Sequence, residues 1–434
     1  MIKIKHVKSS FERNALAAPF GFKGGYLTAL WQTIALLESE SGQTGLGLGT
    51  QSVLWSDAAV FVKNSESDGN NMMLKMTQFA LQQAAEISFE TPLDLLDKLL
   101  PAVYEYGQKI TGNKALRLTF ALNALVPVDN AAWQLYCREK KIKNFDDMIP
   151  ADCRPALSAR HRELASIPLM SYGVPLEKIV QAVDEGCFFL KVKIGADPDK
   201  DGDQDKMLAW DKKRLAAIHA AVKDRQITHT VNGRIPYYLD ANGRYDSKER
   251  LMRLIDHAEK VGARERIMIV EEPFPEEYKA DVRDIPVRLA ADESAHSEKD
   301  ALERMELGYG AIALKPIAKT MSMSLRIAKK AHERKIPCFC ADLTVNPVLV
   351  DWNKNVAARL APLPGLKIGV LETNGHQNYR DWELMRSYHP CFDAPWMHTV
   401  QGLFHLDDDF YARSGGMLDI SRHYLQKVME NKKP

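Results

Sequence analysis

Apolar runs that recur at intervals, several of them followed by a charged residue, constrain the fold of this 434-residue chain more than any other feature. From about Pro155 onward these runs alternate with amphipathic segments, and a buried parallel strand reads as a continuous hydrophobic run. Strands that alternate with helices favour a parallel sheet, and eight of them close a (β/α)₈ barrel. The runs begin near Ile167, Phe188, Tyr237, Ile267, Val287, Ala311, Cys338 and Ile368.

The glycine pattern separates this barrel from its main alternative, an open doubly wound sheet. Such a sheet is expected to carry a glycine-rich phosphate-binding loop after an early strand. Neither a G-x-G-x-x-G nor a P-loop pattern occurs in the sequence. We therefore predict an α/β fold built on a (β/α)₈ barrel.

The N-terminal part of the chain predicts a different structure. Residues 33–40 and 46–49 flank a turn and indicate a β-hairpin, whereas residues 72–141 have the three- and four-residue spacing of helices. Residues 9–23 lack periodicity and predict a connecting loop or a flap, and residues 64–70 predict a polar surface loop. We predict a domain over residues 1–150, a barrel over 151–387 and a segment over 388–434 that packs back on the first domain.

Composition limits the classes of partner and compartment. With 58 basic and 57 acidic residues, nothing favours nucleic acid or an anionic membrane. No apolar run approaches the roughly 20 residues of a membrane span, and the N-terminus lacks the apolar core of a signal peptide. The six cysteines have no zinc-type spacing and predict free thiols in a reducing compartment. We expect a cytoplasmic protein.

Three carboxylates follow consecutive apolar runs directly: Asp240, Glu271 and Asp292. The C-terminal ends of barrel strands meet at one rim, where three anions would repel one another without a cation. Oxygen ligands without His or Cys suit Mg²⁺ or Mn²⁺ rather than Zn²⁺. The alternative, three solvated surface carboxylates, is weakened by their position after three successive runs. The sequence predicts a magnesium site, with Mn²⁺ as the other candidate.

Lysines stand before and after these acids in the sequence. Lys191 and Lys193 are two apart on a predicted strand, so both point the same way. Burial would lower their pKa toward a value useful for a general base, although lysine on an exposed sheet edge is the ordinary alternative. Lys315 ends a later run and could approach the same site from the opposite side.

Five motifs in order resemble those of the enolase superfamily, and among its branches the muconate-lactonizing-enzyme subgroup of the mandelate racemase/muconate lactonizing enzyme family. The resemblance covers nearly the whole chain and is specific as a set. The motifs are Lys191-Val192-Lys193, Asp240-Ala241-Asn242, Glu271-Glu272-Pro273, Ala291-Asp292-Glu293-Ser294 and Leu314-Lys315-Pro316.

The resemblance implies an N-terminal α+β capping domain over a modified (β/α)₈ TIM barrel, with Mg²⁺ bound by the three acids. It implies that Lys193 and Lys315 are acid/base catalysts on opposite faces of the substrate. Lys191 would contact the substrate carboxylate and lower the pKa of Lys193. Asn242 and Glu293 would support the metal ligands from behind.

The reaction implied is racemisation or epimerisation at the carbon next to a substrate carboxylate, through a metal-stabilised enediolate. The protein would then be an isomerase acting on a small carboxylate, and a homo-oligomer like many members of the family. The same groups would serve a lyase (a syn-dehydratase) or a cycloisomerase. A non-catalytic metal-binding scaffold is the third class.

The chain departs from relatives at positions that select the substrate. The mandelate racemase branch has a histidine at the seventh strand end, where this chain offers Asp342. Dipeptide epimerases carry an Asp-x-Asp pair after the eighth strand, whereas this chain has Glu372-Thr373-Asn374-Gly375. Glu372 is a candidate for contacting a cationic or hydroxyl group, and Phe20 and Phe22 are candidate substrate contacts.

Overall fold

The structure is a computed structural model that describes residues 1–22 and 25–430, without the side chain of Phe22. The N-terminal part is an antiparallel sheet, ordered β3-β2-β1-β4, with helices packed on it. Its strands are β1 (Ile2–Phe22), β2 (Gly25–Ser39), β3 (Thr44–Gln51) and β4 (Ser88–Phe89). Its helices are α1 (Val53–Ser56), α2 (Ala58–Lys63), α3 (Glu66–Ala85), α4 (Pro92–Thr111), α5 (Leu118–Lys140) and α6 (Phe145–Met148).

The predicted hairpin is confirmed as β2 and β3, but two loop predictions in this part are wrong. Residues 9–22 continue β1, whose pairing with β2 slips between Ala15 and Phe20. This bulge breaks the alternation on which strand prediction depends. Most of residues 64–70 form the start of α3, where the Ser65 side chain caps the helix by accepting from the Asp68 amide. The polar residues there are the first turns of a helix rather than a loop.

Small residues let β3 lie directly on α5. A Cβ atom on Gly47 would stand 1.9 Å from the Pro127 carbonyl oxygen, and one on Gly45 would stand 2.0 Å from the Ala131 carbonyl oxygen. Helix α5 is consequently buried along most of its length. The sheet and this helix form the rigid base from which the β1–β2 hairpin extends.

The barrel is confirmed, with parallel strands in sequence order. Its strands are β5 (Glu163–Ile167), β6 (Leu169–Met170), β7 (Leu190–Lys193), β8 (Tyr237–Asp240), β9 (Ile267–Glu271), β10 (Leu289–Ala291), β11 (Ala311–Leu314), β12 (Cys338–Cys340) and β13 (Gly369–Glu372). Its helices are α7 (Leu176–Asp184), α8 (Gln204–Val222), α9 (Lys248–Lys260), α10 (Glu298–Glu306), α11 (Met321–Glu333), α12 (Pro347–Ala357), α13 (Gly375–Asn378) and α14 (Trp382–Ser387).

Closure runs through the segment that contains β5 and β6. Ile167 at the end of β5 pairs with Glu372 on β13, and Leu169 at the start of β6 pairs with Lys191 on β7. Pro168, which lacks an N–H donor, separates the two short strands. Together they form the first of eight strand positions around the barrel, so that β7 occupies the second and β11 the sixth.

The barrel interior is a separate apolar core beneath the strand ends. It includes Tyr238, Ile269, Ala290 and Phe339, all nearly inaccessible to solvent. Because side chains alternate along a strand, residues two positions further on point into the mouth of the barrel. That rule places Asp240, two residues after Tyr238, above this core.

Buried hydrogen bonds join the N-terminal part to the barrel. The Gln32 side chain on β2 donates to the Tyr379 hydroxyl at 2.8 Å and accepts from Thr50 at 2.7 Å and from Asn346 at 2.8 Å. The Tyr379 hydroxyl in turn donates to the Thr344 carbonyl oxygen at 2.7 Å. These bonds fix β2 over the ends of β12 and β13.

The C-terminal segment touches both parts. It contains β14 (Thr399–Val400), β15 (Leu403–His405), α15 (Asp408–Arg413) and α16 (Arg422–Glu430). Strand β15 pairs antiparallel with β5, while the His423 ring on α16 forms a 2.9 Å hydrogen bond with Glu12 on β1. The division at residues 150 and 387 stays a prediction. Across the described ranges, every helix is too short or too polar to traverse a bilayer.

Candidate active site

Three carboxylates stand between two lysines around the barrel mouth, where the sequence predicted them. Lys193 on β7 pairs with Asp240 on β8, and Asp240 pairs with Glu271 on β9. These three residues therefore stand side by side on adjacent strands. Asp292 follows the end of β10, and Lys315 follows the end of β11. All five side chains are buried.

Lys191 is buried and contacts three carboxylates. Its Nζ atom is 3.0 Å from Asp240 Oδ2, 2.8 Å from Glu271 Oε2 and 3.0 Å from Glu372 Oε2. It also lies 4.8 Å from the centre of the Tyr238 ring, and the Tyr238 hydroxyl donates to Glu271. Tyr238 was not predicted, because in the sequence it reads as an ordinary apolar strand residue.

The expectation of a lowered lysine pKa is wrong for Lys191. Burial does act to lower the pKa of Lys191, but the attraction of Asp240 and two further carboxylates outweighs it, so the pKa lies well above its ordinary value. The pKa of Lys315 is raised in the same way, chiefly by Asp292 acting against burial. The sequence showed that these lysines would be buried but not how closely the acids would approach them.

Lys193 is held at the edge of this cluster. Its Nζ atom donates to Asp240 Oδ2 at 2.5 Å and also to the Asn242 side-chain oxygen. The Asn242 amide donates in turn to Glu293 Oε1 at 3.0 Å. Asn242 also donates its backbone N–H to Asp240 Oδ1, so that Asn242 and Glu293 connect Asp240 to the end of β10, two strands away, which is consistent with a supporting role.

Lys315 stands on the other side of the mouth. Its Nζ atom is 2.5 Å from Asp292 Oδ2 and 4.7 Å from the centre of the Trp55 ring, which comes from α1. A second lysine, Lys319, donates to the Asp292 carbonyl oxygen at 2.5 Å and lies 3.2 Å from Oδ1. Neither Lys319 nor Trp55 was predicted. Lys319, four residues after Lys315, offered a weak signal, whereas Trp55 lies far away in sequence and offered none.

The charge states of the three acids follow from these pairs. Burial raises the pKa of Glu271 well above its ordinary value, and repulsion from Asp240 adds to this. Burial also acts on Asp240 and Asp292, but their lysine partners outweigh it and lower both pKa values. Among these three acids, Glu271 is therefore the one whose negative charge the neighbouring lysines do not balance.

The donor set has the chemistry of a magnesium site, although the acids contact lysines as they stand. Within residues 1–22 and 25–430, no three His, Cys, Asp or Glu side chains are placed to hold an ion together. Among the same residues, Glu271 Oε1 is buried and has no hydrogen-bond partner. An all-carboxylate set with an unsatisfied buried oxygen suits a hard divalent cation. Ligation by Asp240, Glu271 and Asp292 stays a prediction.

The ends of β12 and β13 form a connected polar network. Glu372 Oε2 accepts the Asp342 amide at 3.0 Å, in addition to its contact with Lys191. The Asp342 carboxylate accepts the Leu343 and Asn374 amides, both at 2.8 Å. Burial, reinforced by repulsion from Glu372, raises the pKa of Asp342 to about 6. Asp342 thus acts as a clamp on two loops.

A cavity of ≈ 40 Å³ lies between this rim and the N-terminal part. Lys191, Lys193, Asp240, Asn242, Lys315 and Glu372 line it from the barrel, and Phe20 lines it from β1. Phe22, the other aromatic candidate, has its side chain outside the described part of the chain. Glu271 and Asp292 contact lysines of the cavity wall from below.

Comparisons with known proteins agree with this architecture. Residues 176–376 match the family model described as enolase C-terminal domain-like. A search of curated protein sequences finds no match.

Many solved structures resemble the whole chain, and three of them illustrate the range. A mandelate racemase/muconate lactonizing protein from Herpetosiphon aurantiacus is 17% identical, with a TM-score of 0.64 over 94% of this chain and 96% of that one. A dipeptide epimerase from Enterococcus faecalis, complexed with Mg and L-Leu-L-Tyr, is 18% identical, with a TM-score of 0.62 over 94% and 97%. An N-succinyl Arg/Lys racemase from Bacillus cereus is 14% identical, with a TM-score of 0.64 over 94% and 93%. At such identities the likeness establishes the fold.

Proposed function

Since this chain belongs to the enolase superfamily, we propose that it is a racemase or epimerase acting at the carbon next to a substrate carboxylate. Enzymes with racemase and epimerase activity are among the structures that share its fold. We place it in the muconate-lactonizing subgroup, as a cytoplasmic homo-oligomer, and gel filtration with light scattering would test the oligomeric state. All six of its cysteines are free thiols, which supports a reducing compartment.

The main support for this proposal is that two lysines, Lys193 and Lys315, stand on opposite sides of the barrel mouth. Lys193 and Lys315 follow the second and sixth of eight strand positions, which face each other across a barrel mouth. Both line the same small cavity. An acid held there would present one face of its α-carbon to each Nζ atom. Inversion needs this arrangement, with one group to remove a proton and another to deliver one to the opposite face.

The remaining residues have roles that match their positions. Mg²⁺ held by Asp240, Glu271 and Asp292 would supply positive charge beside the substrate carboxylate. Lys191, which contacts Glu372 and lines the cavity, would bind one carboxylate oxygen of the substrate. The buried setting excludes water and strengthens each of these electrostatic contacts.

Exchange of the α-proton with solvent deuterium, followed by NMR, tests this function. With Mg²⁺ present, the wild-type protein should exchange both stereoisomers of its substrate. K193M and K315M should each lose exchange of one stereoisomer by at least about a thousandfold, because each lysine serves one face. The control is K206M, which removes a surface lysine paired with Asp199 and Asp201.

The outcomes separate the candidate reactions. No exchange with any acid in a broad library would overturn the proposal, and so would normal exchange of both stereoisomers in both variants. Loss of water would indicate a lyase, and ring opening or closure would indicate a cycloisomerase.

A further inference from the structure

The cavity surface divides into a charged half and an apolar half. We propose that the substrate carries an uncharged, apolar substituent on its α-carbon and has no free ammonium group. This inference rests on the proposed function and specifies the class of acid that the site accepts.

The apolar half comes from the N-terminal part of the chain. Phe20 on β1, Leu27 and Leu30 on β2, and Trp55 on α1 line the cavity opposite the lysines. Leu27, Leu30 and Trp55 are only 2–3% exposed. We call these four residues the roof. Of the described N-terminal residues that line the cavity, none is charged, because the only other one is Ser52.

The size of the cavity makes this lining selective. At ≈ 40 Å³ it has room for about one water molecule, whereas pockets for organic ligands are on the order of several hundred Å³. A substrate must therefore separate the roof from the barrel and expose apolar side chains. An apolar substituent covers that surface again, whereas a charged one must itself lose its hydration against apolar walls.

The carboxylates that line the cavity, Asp240, Asp342 and Glu372, are already engaged, which argues against an ammonium group on the substrate. Glu372 contacts the Lys191 ammonium at 3.0 Å and accepts the Asp342 amide. Asp342 accepts two backbone amides, and Asp240 contacts both Lys191 and Lys193. An ammonium group entering the cavity would meet cations whose partners it must displace. Repulsion between like charges in a buried site makes this unfavourable.

Four probe acids test the inference with the wild-type protein and Mg²⁺. N-acetylnorleucine has an apolar side chain, and N-acetyllysine has a side chain of similar length that ends in a charge. N-acetylglutamate carries an anionic side chain, and unmodified norleucine carries a free α-ammonium group. We expect the rate constant kcat/KM for α-proton exchange to be at least about a hundredfold higher for N-acetylnorleucine than for the other three.

A roof variant provides the reciprocal test. L27D places a carboxylate opposite the lysines and should shift the preference toward N-acetyllysine by at least tenfold. The control Y26D introduces the same charge at the preceding residue, which is 57% exposed and does not line the cavity. Its preference should stay that of the wild type. If L27D does not fold, the wild-type rates decide alone.

The results distinguish this inference from the proposed function. Exchange that is faster with N-acetyllysine, N-acetylglutamate or norleucine would overturn the inference and leave the racemase or epimerase assignment intact. No exchange with these four probes or with any acid of the broad library would overturn the assignment. In that case, calorimetric titration with the same four probes would decide the inference. Tighter binding of N-acetyllysine, N-acetylglutamate or norleucine than of N-acetylnorleucine would overturn it.

Discussion

Replacement of Asp211 by asparagine should flatten the pH dependence of folding stability. Asp211 on α8 is fully buried, and its carboxylate accepts the Gly195 amide at 2.8 Å and the Tyr245 hydroxyl at 2.7 Å. It thereby anchors the loop that follows Lys193. Burial raises the pKa of Asp211 from 3.8 to about 7, although both hydrogen bonds act in the opposite direction.

The sign and size of the effect follow from this shift. The folded protein binds the Asp211 proton more tightly than the unfolded chain does, so stability falls as the pH rises from about 4 to about 7. Between pH 5 and pH 8 the loss from this one group is about 2.5 kcal/mol, calculated from a pKa of 3.8 unfolded and about 7 folded. Asparagine does not titrate, so D211N should lack this loss.

Urea unfolding of the wild type and D211N, followed by circular dichroism at several pH values, measures the difference. At low pH the difference between the two free energies of unfolding should favour the wild type. As the pH rises toward 8, this difference should shift in favour of D211N. A suitable control is D246N, because Arg250 lowers the pKa of Asp246 and its titration lies below this range. Parallel pH curves for D211N and the wild type would refute the reasoning.

Two further substitutions test the packing and the metal site. G47A should prevent stable folding of the N-terminal part or cost more than about 3 kcal/mol, since its Cβ would stand 1.9 Å from the Pro127 oxygen and 2.3 Å from the Ala131 nitrogen; thermal unfolding would show the loss. K319M should bind Mg²⁺ at least about tenfold more tightly in calorimetric titration, because it removes a cation 3.2 Å from an oxygen of the proposed ligand Asp292. Unchanged or weaker binding by K319M would contradict that account, and K319Q is the alternative should K319M not fold.

The sequence predicted the site best where a charged residue directly follows an apolar strand, because the same pattern indicates both the barrel fold and the position of the charged side chain. Asp240, Glu271 and Lys315 follow continuous apolar runs, and parallel strands bring such residues to a common rim whatever the intervening helices do. The barrel was predictable for the same reason, because alternation of strands and helices is a local pattern. The resemblance of five motifs to those of the enolase superfamily then suggested a role for each charged residue, which composition alone does not give.

What the sequence did not predict depends on long-range contacts or on broken periodicity. The register slip between Ala15 and Phe20 hides a strand from any pattern of period two. Trp55 reaches Lys315 only through the packing of one part of the chain on another. The raised pKa of Lys191 results from three carboxylates that lie 49 to 181 residues away in sequence, at distances that only the closed barrel defines.

Under the proposed function, the residues that select the substrate and the residues that react with it come from separate stretches of the chain, the former largely from the β1–β2 hairpin. Phe20 and Leu27 belong to the two strands of this hairpin, whereas Lys193 and Lys315, which we propose to move protons, stand at the ends of barrel strands. Replacing this hairpin with that of a relative, while keeping the Gln32 contacts to Tyr379 and Asn346, would change the substrate preference and leave the reaction chemistry of the barrel unaltered. In evolution, substitutions within one short stretch of sequence could change the substrate of such an enzyme without any change in its catalytic residues.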